Sequence, residues 1–381
     1  MANRVLILGG GFGGVAAARR LRDLLPAGDE IVLADRGTHF MMGFRKIAAI
    51  VGRAPLEDGM RPLVALERFG IRVLQGEINT IEPGARAAEI DGERIEADAM
   101  LVALGAETVP AAIPGLVEHG IDVWSGAGVA RAAEALAAID KGKVVIGIFG
   151  VPYKCPPAPF ELALLAQEAT TARGARIAYE VFSPLPSSLP VVGPAGCEAI
   201  EGRLTGMFID FRRNTKATRV EPGSVVTDQG DIAFDLLFAI PPHRVPPVIT
   251  QAGLAPEGGW IKADPRTLAT SHDGVWAVGD CIALQMAGNK PMPKAGEFAQ
   301  REGTVAAEHI AAGLLGGSSE AEFWGEGRCF LETGDGEAMI VQGRFLIEPE
   351  PEVELTPPSA ANLDEKHRFE RERLDAWFGP E

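Results

Sequence analysis

The chain has 381 residues, 46% of them hydrophobic and 23% charged, which is enough apolar content for two domains with cores of their own and too much for disorder. Thirty-six lysines and arginines against 52 aspartates and glutamates leave a formal net charge of −16, a balance that argues against the clustered basic surface a nucleic-acid partner needs. No apolar run reaches the ~18 residues of a membrane span, and Met1-Ala2-Asn3-Arg4 runs into Val5 with no room for an export signal, so a cytoplasmic protein is expected.

Val5-Leu6-Ile7-Leu8 reads as a parallel strand covered on both faces, and Val15 to Leu25 reads as a helix. Between them lies Gly9-Gly10-Gly11-Phe12-Gly13-Gly14, a G-x-G-x-x-G in the strand-to-helix setting that gives it meaning. Gly9 makes the turn, Gly11 lets backbone approach a pyrophosphate, and Gly14 lets helix pack on strand. The helix start, with Phe12 and Gly13, offers amides and a positive dipole end to phosphates. The next strand, Ile31 to Ala34, ends at Asp35-Arg36, where a carboxylate can accept from ribose hydroxyls. Residues 71 to 104 read as short strands joined by turns at Glu82-Pro83-Gly84 and Asp91-Gly92, closing on a buried run that ends Ala103-Leu104-Gly105.

A second strand of the same kind, Val144 to Phe149, leads into Gly150-Val151-Pro152-Tyr153-Lys154-Cys155-Pro156-Pro157-Ala158-Pro159-Phe160-Glu161. Prolines stand here where amides would face a nicotinamide dinucleotide, and proline has no amide hydrogen. Reduction by a nicotinamide is therefore disfavoured. Cys155 precedes a helix running from Phe160 to Ala172 and has Lys154 beside it, conditions expected to favour the thiolate. The other cysteines are Cys197, Cys281 and Cys329, too scattered for a disulfide framework or a zinc site.

Asp98 to Gly105 and Thr270 to Asp280 resemble the paired motifs by which flavoprotein disulfide-reductase relatives return the chain to the FAD domain. That resemblance implies an α/β fold of two Rossmann-like dinucleotide-binding domains of the glutathione-reductase type plus a C-terminal segment, with Asp280, after Gly279, on the ribityl chain or pyrophosphate. The divisions expected are an FAD-binding domain over 1–110 and 245–320, a second Rossmann-like domain over 111–244 carrying Cys155, and a segment over 321–381 carrying Cys329.

Tyr153 to Glu161 resembles the active-site loop of the sulfide:quinone oxidoreductase and flavocytochrome c sulfide dehydrogenase group. The resemblance implies a redox disulfide between Cys155 and a C-terminal cysteine, Cys329 in Gly325 to Glu332, with Cys281 as the rival partner and Cys197 structural. It makes Glu161 the proton shuttle. Pro291 to Gln300 resembles the helix start set against the isoalloxazine ring, which makes Lys294 the cation that balances reduced flavin. No cysteine lies between Asp35 and Cys155, so FAD should be non-covalent.

The substrate implied is sulfide or a small thiol, and the electron acceptor a quinone or another oxidant. The rivals are an NAD(P)H:quinone oxidoreductase of the same fold and a redox-sensing flavoprotein without turnover. The tail from Leu363 to Phe378 reads as a mixed-charge helix. Either Leu363, Leu374, Trp377 and Phe378 dip into the inner face of the membrane, or the tail packs on its own protein or on a second subunit of a homo-oligomer.

Overall fold

The structure is a computed structural model that describes residues 2–380. Val5 to Leu8 have no solvent exposure, because both faces of their strand are covered. That strand, β1 (Arg4–Leu8), is followed by α1 (Phe12–Leu24), β2 (Glu30–Asp35), the short α2 (Arg45–Ile50), β3 (Ile71–Gln75) and β4 (Ala99–Val102). A three-stranded antiparallel meander spanning residues 78–96 lies between β3 and β4.

The chain then builds a second parallel layer from β5 (Lys141–Ile148), α3 (Ala158–Ala172), β6 (Arg176–Phe182), β7 (Ile209–Arg212) and β8 (Leu236–Ile240). It returns through β9 (Val275–Ala277), which pairs in parallel with β4, and continues into the long α4 (Gly296–Leu314). The first sheet has the order β9-β4-β1-β2-β3. In the second, a two-residue strand, Ile121–Asp122, is followed by β8-β5-β6-β7.

The two sheets repeat one plan, since the second also inserts an antiparallel meander, over residues 217–233, before its return strand β8. In each, the strand that precedes the glycine or proline loop sits at the centre. Loops after central parallel strands emerge at the carboxyl edge, where α/β proteins place their ligands.

The C-terminal part holds more than the helical tail that its sequence suggests. The strands β10 (Glu326–Gly334), β11 (Glu337–Arg344) and β12 (Glu352–Leu355) form an antiparallel sheet, and α5 (Ala360–Phe378) packs upon it. The proline-rich stretch from 349 to 358 thus carries an edge strand. Its prolines flank β12, where no ladder donor is lost.

Candidate active site

The glycine loop is held by close backbone approach. A Cβ on Gly9, whose φ is +113°, would lie 2.3 Å from the Ala103 carbonyl oxygen, and one on Gly14 would lie 1.9 Å from that of Gly9. Gly11, by contrast, faces open space, and no side chain caps the start of α1. That leaves an uncapped helix N-terminus with room in front of it, which suits a dinucleotide pyrophosphate. Asp35 accepts hydrogen bonds from the Gly10 and Gly37 amides, each at 2.6 Å, so its carboxylate first fixes the loop; Arg36 is exposed. The Gly279 amide donates to Glu302 Oε2 at 2.6 Å, and burial pushes this Glu302 carboxyl up to about 7. Glu302 was not foreseen from the sequence, where it is one more acid on a helix. These features together fit FAD.

The cysteine loop is clamped to the first domain. The Cys155 amide donates to the Lys294 carbonyl at 2.8 Å, while the Cys155 carbonyl accepts from Ala158 at 3.0 Å, and Cys155 itself holds φ at +53°. A left-handed conformation is uncommon for cysteine and points to a position fixed by its surroundings. Cys155 and Cys329 (the latter on β10) are both half-buried, unbonded, and line one cavity of about 220 Å³ with Glu161, Lys46 and Asp280. Phe12 and Gly296 also border that cavity, so it adjoins the glycine loop and the start of α4.

The expectation of a favoured thiolate at Cys155 is corrected. Burial, then the charge of Glu161, pushes the Cys155 thiol up to about 12, and Lys366 and the Ala158 amide return only part of that. A helix end favours a charge by ~0.3–1 kcal/mol, whereas removing it from water works the other way with several times that force. Lys154 does not offset this, because its ammonium donates to the Ala106 carbonyl at 2.8 Å. Cys329 is raised as well, by burial first and Cys155 second. Burial thus works against the thiolate form at both sulfurs.

Lys294 is buried, and its ammonium donates to the carbonyls of Asp280 and Ile282, both at 2.8 Å, while lying 3.7 Å from the Trp260 ring centroid. It thus secures the Gly279–Ile282 turn. Lys46, on α2, lines the cavity together with Lys154, Lys294 and Arg328, and donates to the Trp124 carbonyl at 2.6 Å. Burial, then the charge of Lys154, lowers Lys46 to about 8. Cys281 is fully buried with its sulfur against the Val102 and Val278 carbonyls, away from the cavity lining, and the Cys197 thiol donates to the Leu189 carbonyl at 3.2 Å.

Glu161, in the first turn of α3, meets partners that come from far along the chain. Lys366 on α5 donates to Glu161 Oε1 and Glu332 Oε1, both at 2.7 Å, and the Glu332 amide donates to Glu161 Oε2 at 3.2 Å. Burial raises Glu161 beyond what Lys366 restores. Burial acts on Glu332 too, but Lys366 and Arg53 hold it below the usual carboxylate range, and Lys366 itself is raised between its two acids. Arg53 continues the chain outward, 2.7 Å from Glu332 and paired with the part-exposed Glu168.

The tail helix is therefore part of the site. Leu374, Trp377 and Phe378 are buried, and Trp377 sets its edge against Phe12 at 5.7 Å and Phe40 at 5.3 Å. Arg45 and Glu370 pair at 2.6 Å beside them. Of the two readings of the tail, these three residues take the packing on the protein itself, against its own aromatic cluster, while Leu363 is half-buried. Among the described residues no helix is long and apolar enough to cross a membrane.

The chain resembles the mitochondrial sulfide:quinone oxidoreductase of Mus musculus, with 23% identity over 74% of this chain and 66% of that one. It resembles the sulfide-quinone reductase of Aquifex aeolicus at 26% over 77% of this chain and 71% of the other. The solved structure of the sulfide:quinone oxidoreductase from Aquifex aeolicus superposes with a TM-score of 0.89 at 21% identity, covering 99% of this chain and 92% of that one, which establishes the two-domain α/β fold. Residues 3–303 match the model of the pyridine nucleotide-disulphide oxidoreductases. With an open glycine loop that suits a flavin dinucleotide, the chain is a flavin-binding oxidoreductase and belongs to the pyridine nucleotide-disulphide oxidoreductase family.

Proposed function

We propose that the chain oxidises hydrosulfide or a small thiol through a Cys155–Cys329 redox disulfide and passes the electrons by way of non-covalent FAD to a quinone or another acceptor. The observation that carries this reading is that two cysteines remote in sequence line one cavity with Glu161, beside the loops that suit FAD. Residues 1–110 and 245–320 hold the cofactor, 111–244 supply Cys155 and Glu161, and 321–381 supply Cys329 and the lysine that sets Glu161.

Hydrosulfide attacks one sulfur of the disulfide, so that a new S–S bond forms there and the old one breaks, freeing the other sulfur as thiolate. A second hydrosulfide takes the outer sulfur of this persulfide and leaves as the hydrogen disulfide anion, HSS⁻. One thiol and one thiolate remain. Bound FAD supplies the two-electron acceptor for the step that re-forms the disulfide. Glu161, raised by burial, takes up the remaining thiol proton, and Lys366 and Glu332 hold its carboxyl in place. Lys294 keeps the Asp280 turn in position, and Lys46 places a cation on the cavity wall, where an anionic substrate gains from it.

The test is anaerobic titration of the purified flavoprotein with sulfide, alongside Cys155→Ser and Cys329→Ser. Bleaching of the parent at stoichiometric sulfide, with little in either variant, is the expected result. Variants that bleach like the parent would overturn the cysteine assignment.

A further inference from the structure

The inner cavity is divided from a larger, open recess of about 740 Å³ by two side chains that line both spaces, Glu297 and Arg328. Glu297 is 4% exposed and accepts from Arg301 at 2.9 Å through Oε1. Its Oε2 lies 3.3 Å from Arg328 Nε, yet neither atom makes an aligned hydrogen bond there. Arg328 is held at its far end by Glu365, at 2.6 Å, and its guanidinium carbon stands 5.3 Å from the Phe369 ring centroid. The partition is therefore an ion pair with a buried acceptor and a donor left without proper partners. An unsatisfied pair of that kind carries a desolvation penalty that an arriving polar ligand would relieve.

The recess beyond is walled by Arg301, Gln342, Arg344, Glu352 and Glu354. The large exposed apolar side chains among the described residues are Val64, Val117, Val151, Phe208, Leu315 and Trp324, and none of them lines it. The apolar stripe of α5 is turned into the protein. A quinone carrying a long hydrocarbon tail gains affinity by burying that tail on an apolar rim, at roughly 0.8 kcal/mol per CH₂. Among the described residues that line this opening only Val353 carries an apolar side chain, too little surface to bury such a tail.

We propose that this recess admits the electron acceptor, that Arg328 is its gate, and that the acceptor is a small, water-soluble quinone without an apolar tail. The acceptor ring takes two electrons and one proton from the reduced cofactor and a second proton from water in the recess, and leaves as the hydroquinone. On entering, its carbonyl oxygen accepts from the guanidinium that Glu297 leaves poorly bonded. This inference rests on the flavoenzyme reading and not on sulfide as the donor.

The experiment pre-reduces the FAD-loaded protein with dithionite, so that the sulfide step is not involved, and follows reoxidation by two quinones of identical dimethoxy-methyl-benzoquinone headgroup, one with no tail and one with a decyl tail. The parent should react with the two at rates within about threefold. Arg328→Leu should create a preference for the tailed quinone, slowing the tailless one about tenfold, the worth of one hydrogen bond from a charged donor, and speeding the tailed one. Calorimetric titration of the oxidised protein with the tailless quinone should show the same tenfold loss in affinity. If the leucine variant does not retain its cofactor, Arg328→Lys takes its place, with an expected loss of two- to fivefold for the tailless quinone. A parent that prefers the decyl quinone tenfold or more, or Arg328 variants indistinguishable from it, would overturn the proposal. Failure of sulfide to reduce the flavin would leave this result standing.

Discussion

After β1 the chain turns through Gly9 to Gly14, and after β5, the corresponding centre of the second sheet, it turns through Gly150 to Pro157. The first turn leads to a helix whose start has no cap and faces open space. The second leads to a helix whose first amides are already engaged, Ala158 with the Cys155 carbonyl at 3.0 Å and Phe160 with that of Pro157 at 3.1 Å. Pro159 has no amide to offer. One plan of sheet thus ends once in an anion cradle and once in a closed loop that presents a sulfur. The difference teaches that a Rossmann-like layer need not bind a nucleotide: the same strand-to-helix junction, deprived of free amides, becomes a rigid mount for a side chain.

The most severe way to break this comparison is to ask the second loop for the job of the first. Stopped-flow mixing with NADH should leave the flavin oxidised over the time in which sulfide bleaches it. Cys155→Ser should slow the sulfide reaction by roughly three orders of magnitude, as expected when a covalent route is removed. Rapid bleaching by NADH would mean that the proline loop accepts a nicotinamide after all. Next in size, Lys366→Met removes the cation that bridges Glu161 and Glu332 and should lower unfolding stability by ~3–5 kcal/mol, the usual effect of stranding a buried charge. Denaturant unfolding at neutral pH measures it, and a loss below ~1 kcal/mol would show that the two acids share a proton instead. Gly14→Ala should cost ~1–3 kcal/mol through the clash with Gly9 and release FAD, read from absorbance after gel filtration. Retention of full FAD content would show that the first loop yields more than its packing suggests.

What the sequence exposes and what it hides divide along the same line. The glycine loop, Asp35 and the proline-bound Cys155 are legible because local spacing alone defines them. Cys329 is legible only through resemblance, since nothing in its neighbourhood marks it out. Lys366 is hidden in a helix of mixed charges, where its i,i+3 and i,i+4 neighbours Phe369 and Glu370 mark a buried face but not what that face covers. Leu374, Trp377 and Phe378 make an apolar stripe that serves a membrane or a protein equally well on paper, and only the aromatic cluster with Phe12 and Phe40 decides between them. The thiolate expectation fails for a related reason: a helix start and an adjacent lysine are written in the chain, but desolvation is not.

The smallest predicted effect separates the two loops by charge. Lys46 stands on α2 of the first layer yet borders the cavity that holds the second layer's cysteine. Burial and Lys154 set its titration at about 8, so it is a cation below that pH and neutral above it. Glu302, under the Gly279 turn, is lifted to about 7 by burial, so it is neutral below that pH and an anion above it. Both changes make the site less welcoming to an anionic substrate as pH rises, and the rate of flavin reduction at fixed hydrosulfide concentration should fall in two inflections. Loss of one charge in a partly solvated site is worth about 1 kcal/mol, or roughly fivefold in rate. Lys46→Gln should abolish the upper inflection and leave the one near 7, because Glu302 belongs to the cofactor loop and not to the sulfur cavity. If the lysine variant keeps both inflections, the cation that serves the cysteines lies elsewhere, and Lys154, bound to the Ala106 carbonyl, becomes the residue to change next.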